Sequence, residues 1–141
     1  DNDADGAATA AAEVVVQFHF KSPEEIDFHG LRALLGSYHD GEQFDVSGLV
    51  NAIIEQDDVG TVVKADDSDD PIAVFTALNT HAHAKSEWMK QTATWLAAQC
   101  KDGPVRKQLS EALSAPSTGL LLNERLINCP PKLAPPLVRM L

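Results

Sequence analysis

Positive charge is scarce where this chain begins. Residues 1–70 hold three Lys and Arg against seventeen Asp and Glu, a net charge of −14. Residues 71–141 hold eight bases against four acids, a net +4. A first half so short of cations excludes direct nucleic-acid binding, which rests on cations meeting phosphates. Long apolar runs are missing too: none approaches the ~20 residues of a membrane span. Cysteine is rare. Cys100 and Cys129 stand far apart and form no disulfide framework, so they read as reduced intracellular thiols. Neither GxGxxG nor GxxxxGK[ST] occurs, so no glycine-rich cradle is present for a phosphate. There is no signal-like start and no initiator Met, so the chain reads as beginning inside a longer protein.

What is present suits one domain with a real core: 141 residues, 44% apolar and 23% charged. Asp1–Glu13 is acidic, alanine-rich and without a large apolar side chain, and reads as a disordered tail. The folded part is then residues 14–141. Val14, Val16, Phe18 and Phe20 alternate with other residues as in a half-buried strand. Ser22 with Glu25 forms a capping-box pattern, with Asp27 as a rival N-cap. Phe28, Leu31, Leu34, Leu35 and Tyr38 then mark a helical face. Asp40-Gly41 turns the chain, and Asp45 caps a second helix carrying Val46, Leu49, Val50, Ile53 and Ile54.

Thr61–Lys64 and Ile72–Leu78 read as strands, and their short link predicts an antiparallel pair. Asn79–Lys85 leads to a helix capped by Ser86, with Trp88, Thr92, Trp95, Leu96 and Cys100 on one face. Pro104 opens the next helix, whose face is Val105, Leu109, Ala112 and Leu113. The strands interleave with helices, which predicts a two- or three-layer α/β domain around one sheet.

Gly119–Pro136 reads as the stretch around which the rest packs. Leu120–Leu122 is a short apolar run bounded by turn residues, as in a strand buried on both faces. Asn123, Glu124 and Arg125 interrupt it, and Pro130-Pro131 end it. Glu124 and Arg125 read as a mutual or cross-strand ion pair. Pro135-Pro136 kinks or restarts the helix that follows.

Few residues point to chemistry. His81 and His83 are two imidazoles where zinc wants three or four ligands, so no metal is expected. Asp66–Asp70 lacks the glycine and closing Glu of a calcium loop. Ser68, set among acids, fits an acid-directed kinase. No nucleophile with a spaced base is evident, so no catalytic residue is assigned. The best candidate site is a protein-binding acidic patch. It consists of Asp57, Asp58, Asp66, Asp67, Asp69 and Asp70, which bracket Thr61–Lys64 from both ends. Such a surface attracts a basic protein and speeds the encounter.

Several segments together resemble one family. They are Asp27-Phe28-His29-Gly30 with Leu34-Leu35, then Glu55-Gln56 with Val59–Lys64, then Phe75–Asn79, and finally Gly119–Pro131 with Pro136. They are similar to the BCCIP family, nuclear proteins first named as partners of a breast-cancer susceptibility protein and a cyclin-dependent-kinase inhibitor. The resemblance runs from about Val14 to Leu141. It implies an α/β fold similar to the Gcn5-related acetyltransferases, a mixed sheet flanked by helices, of which this chain is an incomplete, N-terminal portion. It also implies a non-catalytic binding protein in the nucleus without a cofactor. The implied client is a basic large-subunit ribosomal protein of the universal L-fourteen family, with links to cell-cycle control and DNA repair. The alternative is an N-acetyltransferase with an atypical acetyl-coenzyme A site. Enzymes of that fold hold the diphosphate on a glycine-containing turn between a central strand and its helix. Here that turn is read as Asn79–Ser86, which contains no glycine.

Overall fold

The computed structural model describes residues 16–56, 58–66 and 68–141. The tail Asp1–Glu13 and the expected strand start at Val14 lie outside the described residues.

Local chemistry explains each element. Strand β1 (Phe18–Lys21) keeps the alternation read from the sequence, with Phe18 and Phe20 on one face. A single 3-10 turn, Glu25–Asp27, runs directly into helix α1 (Phe28–Leu35). The reciprocal cap lies two residues later than Ser22: Asp27 Oδ2 accepts from the Glu24 amide at 2.9 Å. Helix α1 stops at Leu35, so Tyr38 belongs to the following turn and not to the helical face. Asp40 and Gly41 both adopt left-handed backbone there, with φ of +53° and +87°. Helix α2 (Val46–Ile54) starts where expected, with Asp45 Oδ1 accepting from the Gly48 amide at 3.0 Å.

Strands β2 (Thr61–Ala65) and β3 (Ala73–Asn79) follow. Helix α3 (Glu87–Gln99) starts after Ser86, and α4 (Gly103–Ser114) has Pro104 in its first turn. Strand β4 (Gly119–Arg125), a 3-10 turn (Pro131–Leu133) and α5 (Ala134–Met140) complete the described chain. Pro135 and Pro136 fall in the first turn of α5. An amide there has no intrahelical partner to lose, so the prolines start the helix and do not kink it.

The strands lie in the order β1-β2-β3-β4, and every pairing is antiparallel. The expectation of a mixed sheet is therefore corrected for the described residues. The cause lies in the helices. Both crossovers, β1 to β2 and β3 to β4, pass through two helices, not one. A pair of helices returns the chain to the end of the sheet it left, so the next strand runs back antiparallel.

Each face of the sheet has a core. One is built from Leu31, Leu34, Leu35, Leu49, Val50, Ile53 and Trp88 of α1–α3, packed on Val62, Val74, Leu78 and Leu122. The other is smaller: Leu133 and Leu137 of the last helical segment, with Cys129, against Val63, Ala73 and Phe75. The domain thus has three layers, one of them thin.

Strands β2 and β3, not β4, form the centre of this arrangement, because each pairs on both sides. Strand β4 lies at an edge, and Leu122 alone of its residues is buried. This corrects the reading of a strand buried on both faces. In the β3–β4 register, Leu120, Leu122 and Glu124 point toward α1–α3. Leu121 points to the opposite side, beyond the reach of α5, and is 59% exposed.

Candidate protein-binding surface

The acids of the expected patch divide between the two ends of β2. Asp57 and Asp67 lie outside the described residues. Asp58 precedes β2, whereas Asp66, Asp69 and Asp70 follow it, and all four are exposed. Five residues of strand separate the groups by about 17 Å. One small ligand cannot touch both, but a protein surface can.

At the Asp58 end, the fold adds acids from distant sequence. Lys21 pairs with Val62, so Ser22–Glu25 pass beside the start of β2. Helix α2 ends at Ile54 and delivers Glu55 to the same end. Glu25 and Glu55 line one cleft of about 310 Å³ with Phe28, Asn51 and Ile54. Among the described residues, neither carboxylate has a basic side chain within ion-pair distance. Two carboxylates over a floor of Phe28 and Ile54 suit an arginine, whose apolar stem lies on carbon while its guanidinium meets oxygen. Glu24, Glu25 and Glu55 were not among the acids singled out from sequence. Glu55 lies three residues before Asp58 in sequence, whereas the proximity of Glu24 and Glu25 to Asp58 depends on the β1–β2 register, which no local pattern states.

At the other end, Asp66 is already partnered: its Oδ1 pairs with Nε2 of His19, diagonally across the β1–β2 pair. The loop beyond it is internally braced. The Ser68 amide donates to Ala65 O at 3.1 Å, and the Asp70 amide to Ser68 Oγ at 3.1 Å. Helix α1 presses on the same loop. A Cβ built on Gly30 would come within 2.4 Å of Pro71 Cδ. Asp70 and Pro71 form a shallow groove of about 360 Å³ with His29, Gly30, Ala33, Leu34 and Leu126. Asp69 and Asp70 are thus presented to solvent from a fixed loop.

Glu124 and Arg125 do not form an ion pair with each other. Neighbours on a strand point to opposite faces, and Glu124 turns toward the helices while Arg125 turns away. Partial burial raises the Glu124 carboxyl above its usual range. Burial also raises the Tyr38 phenol, and the Glu124 charge adds to that rise. On the other face, burial raises the Cys129 thiol and the Arg125 charge opposes it.

The Asn79–Ser86 connection is closed by its own hydrogen bonds. The Thr80 amide donates to Thr118 O, Ala82 to Asn79 Oδ1, His83 to Asn79 O, Ala84 to His81 O and Ser86 to His83 O. Few donors remain to cradle a diphosphate. The sheet has a second strand-to-helix connection, from β4 through Leu126–Pro130. It too lacks glycine, and Pro130 and Pro131 bring no amide. His83 packs its ring against Trp88 at a tilt of 49°, with centroids 5.3 Å apart. Among the described residues no three His, Cys, Asp or Glu gather as a metal site.

Comparison with known proteins adds family context. The profile of the BCCIP family matches residues 13–141. Protein BCCIP homolog of Arabidopsis thaliana is 38% identical over 129 residues, covering 89% of this chain and 40% of that protein. Protein bcp1 of Emericella nidulans is 37% identical over 134 residues, covering 91% of this chain and 46% of that protein. The chain thus spans less than half the length of these relatives. The crystal structure of BCP1 from Saccharomyces cerevisiae superposes with a TM-score of 0.69 at 24% identity. That match covers 99% of this chain and 60% of the yeast chain, and the two share the fold.

Proposed function

Because the chain belongs to the BCCIP family, we propose that it is a non-catalytic binding module that holds a basic protein against its acidic first half. The supporting observation is the placement of carboxylates. Asp58 with Glu25 and Glu55 occupies one end of β2, and Asp69 with Asp70 the other. Among the described residues no Lys or Arg is paired to any of them. Charge left unneutralised in this way is available to a partner and speeds the encounter with it.

The proposed client is a basic large-subunit ribosomal protein of the universal L-fourteen family. Binding would take place in the nucleus during ribosome assembly, where the module acts as a chaperone. Cell-cycle and DNA-repair partners belong to the same proposal. So does the acetyltransferase-like fold, with which two helices between the first two strands and an antiparallel sheet are compatible. Weighing against an acetyl-coenzyme A site are the consumed amides of Thr80–Ser86 and the prolines after β4.

Titration of the chain with a purified ribosomal protein of that class, at low and raised salt, tests the proposal. Reversing Glu25, Glu55 and Asp58 to Lys is expected to weaken binding and flatten its salt dependence together. Reversing Asp69 and Asp70 is expected to do the same from the other end. Affinity unchanged after both reversals removes the acidic surface from the account.

A further inference from the structure

Helix α4 is amphipathic, yet none of its residues is buried. Leu109 and Leu113 are half-buried, while Val105 and Ala112 of the expected face stand exposed. Across from them α3 presents Met89, Ala93 and Ala97, again at four-residue spacing. The walls do not close on each other. Between them runs a groove of about 420 Å³, within the size range of binding clefts.

Polar clasps at both ends set the width. At one end Arg106 reaches back to the end of α3. Its Nε donates to Cys100 O at 3.1 Å and its second guanidinium nitrogen to the same oxygen at 2.6 Å. At the other end Asn79 Nδ2 donates to Pro116 O at 2.9 Å, and Thr80 donates from its amide and hydroxyl to Thr118 O. Held by these bonds, the helices cannot collapse onto the space that the small side chains of Ala93 and Ala97 leave. The chemistry of the groove is opposite to that of the acidic surface. In a chain of net charge −10, no carboxylate lines it, and Lys90 is its one charged lining residue, with His81 beside it.

We propose that the α3–α4 groove is a second docking surface, taking an amphipathic helix of a protein partner. That helix presents bulky aliphatic side chains at four-residue spacing and a carboxylate beside them. The aliphatic groups lie between Met89–Ala97 and Leu109–Leu113, and the carboxylate meets the Lys90 ammonium. The groove follows the facing rows Met89–Ala97 and Leu109–Leu113 along both helices, which suits a segment of chain, and its lone cation selects an acidic segment over a basic one. The two surfaces therefore take partners of opposite charge.

The test uses a designed helical peptide of about four turns, with leucines four residues apart and glutamates beside them. Its controls carry lysine for each glutamate, or alanine for each leucine. NMR shift mapping on the 141-residue chain is expected to move Met89, Ala93, Ala97, Leu109 and Leu113 with the glutamate peptide. Lys90→Glu is expected to weaken that peptide by about tenfold and to favour the lysine peptide. Ala93→Leu fills the groove from within and is expected to abolish binding while the fold stands. Neither change is expected to alter binding of the basic client. Equal binding of both charged peptides overturns the proposal, as do shifts confined to other surfaces or no shift at millimolar peptide. Self-association that blocks the peptide overturns it in favour of a second copy of the chain.

Discussion

Thr92 fixes the proton of His39. The Thr92 hydroxyl donates to Trp88 O at 2.7 Å, one turn back along α3. Its hydrogen is therefore spent, and it can only accept from His39 Nε2, which stands 3.0 Å away. His39 is thus the Nε2–H tautomer. It is 2% exposed and stacks on both Phe44, at 4.0 Å between centroids, and Trp95, at 5.0 Å and nearly parallel. This one imidazole ties the Asp40-Gly41 turn to α3.

That arrangement makes stability depend on pH in a definite direction. Burial lowers the His39 pKa below its ordinary value, and the nearby Glu42 carboxylate opposes the shift only in part. The folded state therefore binds the proton less readily than the unfolded state does. The stability linked to His39 is fully present above the unfolded pKa of about 6.5, and is lost as pH falls from there toward the lower folded value. Urea midpoints measured from pH 7.5 to pH 5 are expected to fall. In His39→Phe, which keeps the stack and removes the titration, the fall is expected to be shallower. An identical slope in the variant would assign the acid sensitivity elsewhere.

Asp27 and Lys64 form an ion pair with little contact with water: the Asp27 side chain is 1% exposed and that of Lys64 11%. It fastens the start of α1 to β2. Asp27→Asn keeps an oxygen for the Glu24 amide but leaves the Lys64 ammonium buried and unpaired. The expected loss is about 3–5 kcal/mol. Adding Lys64→Met to that variant is expected to restore much of it, since the double change leaves no buried charge. Chemical denaturation of the two singles and the double reads the coupling directly.

Gly30 is held by the neighbour it touches, not by its backbone angles. An added methyl would meet Pro71 Cδ at 2.4 Å, so either α1 or the Asp69-Asp70 loop must shift. Gly30→Ala is expected to lose about 1–3 kcal/mol despite alanine's better helix propensity. If the loop is what shifts, amide resonances of Ser68–Asp70 move while those of α2 do not. A stabilised variant would mean that this contact is looser than the geometry shows.

The order of elements was legible because each switch of period came with its own punctuation. Asp45, Ser86 and Pro104 marked helix starts that the structure places within a residue. The strand directions were legible in principle, since two helices lie in each long crossover, but the family resemblance argued for a mixed sheet and took precedence. The acids were read by sequence distance. Asp58 and Asp66 look like one bracket, although β2 holds them apart. Glu25 comes to Asp58 only through the β1–β2 register, and nothing local to Glu55, three residues before Asp58, states that it shares a cleft with Glu25. His39 looked like one of several scattered histidines. Its meaning lies in Trp95 and Thr92, more than fifty residues on.

The run Leu120–Leu122 shows the same limit inside three residues. Identical side chains in sequence suggest equal burial, and a strand buried on both faces follows from that. The pleat allows otherwise, because Leu121 faces away from its two neighbours. Leu122 is 0% exposed among Val62, Val74 and the α1–α3 layer, so Leu122→Ala opens a cavity and is expected to cost about 2–5 kcal/mol. Leu121→Ala removes mostly solvent-facing surface and is expected to cost under about 0.5 kcal/mol. Leu120 is half-buried at the end of the same inward row, and its truncation falls between them. Thermal melts of the three alanine variants check the order. Equal losses at Leu121 and Leu122 would mean that in solution something covers the outer face of β4.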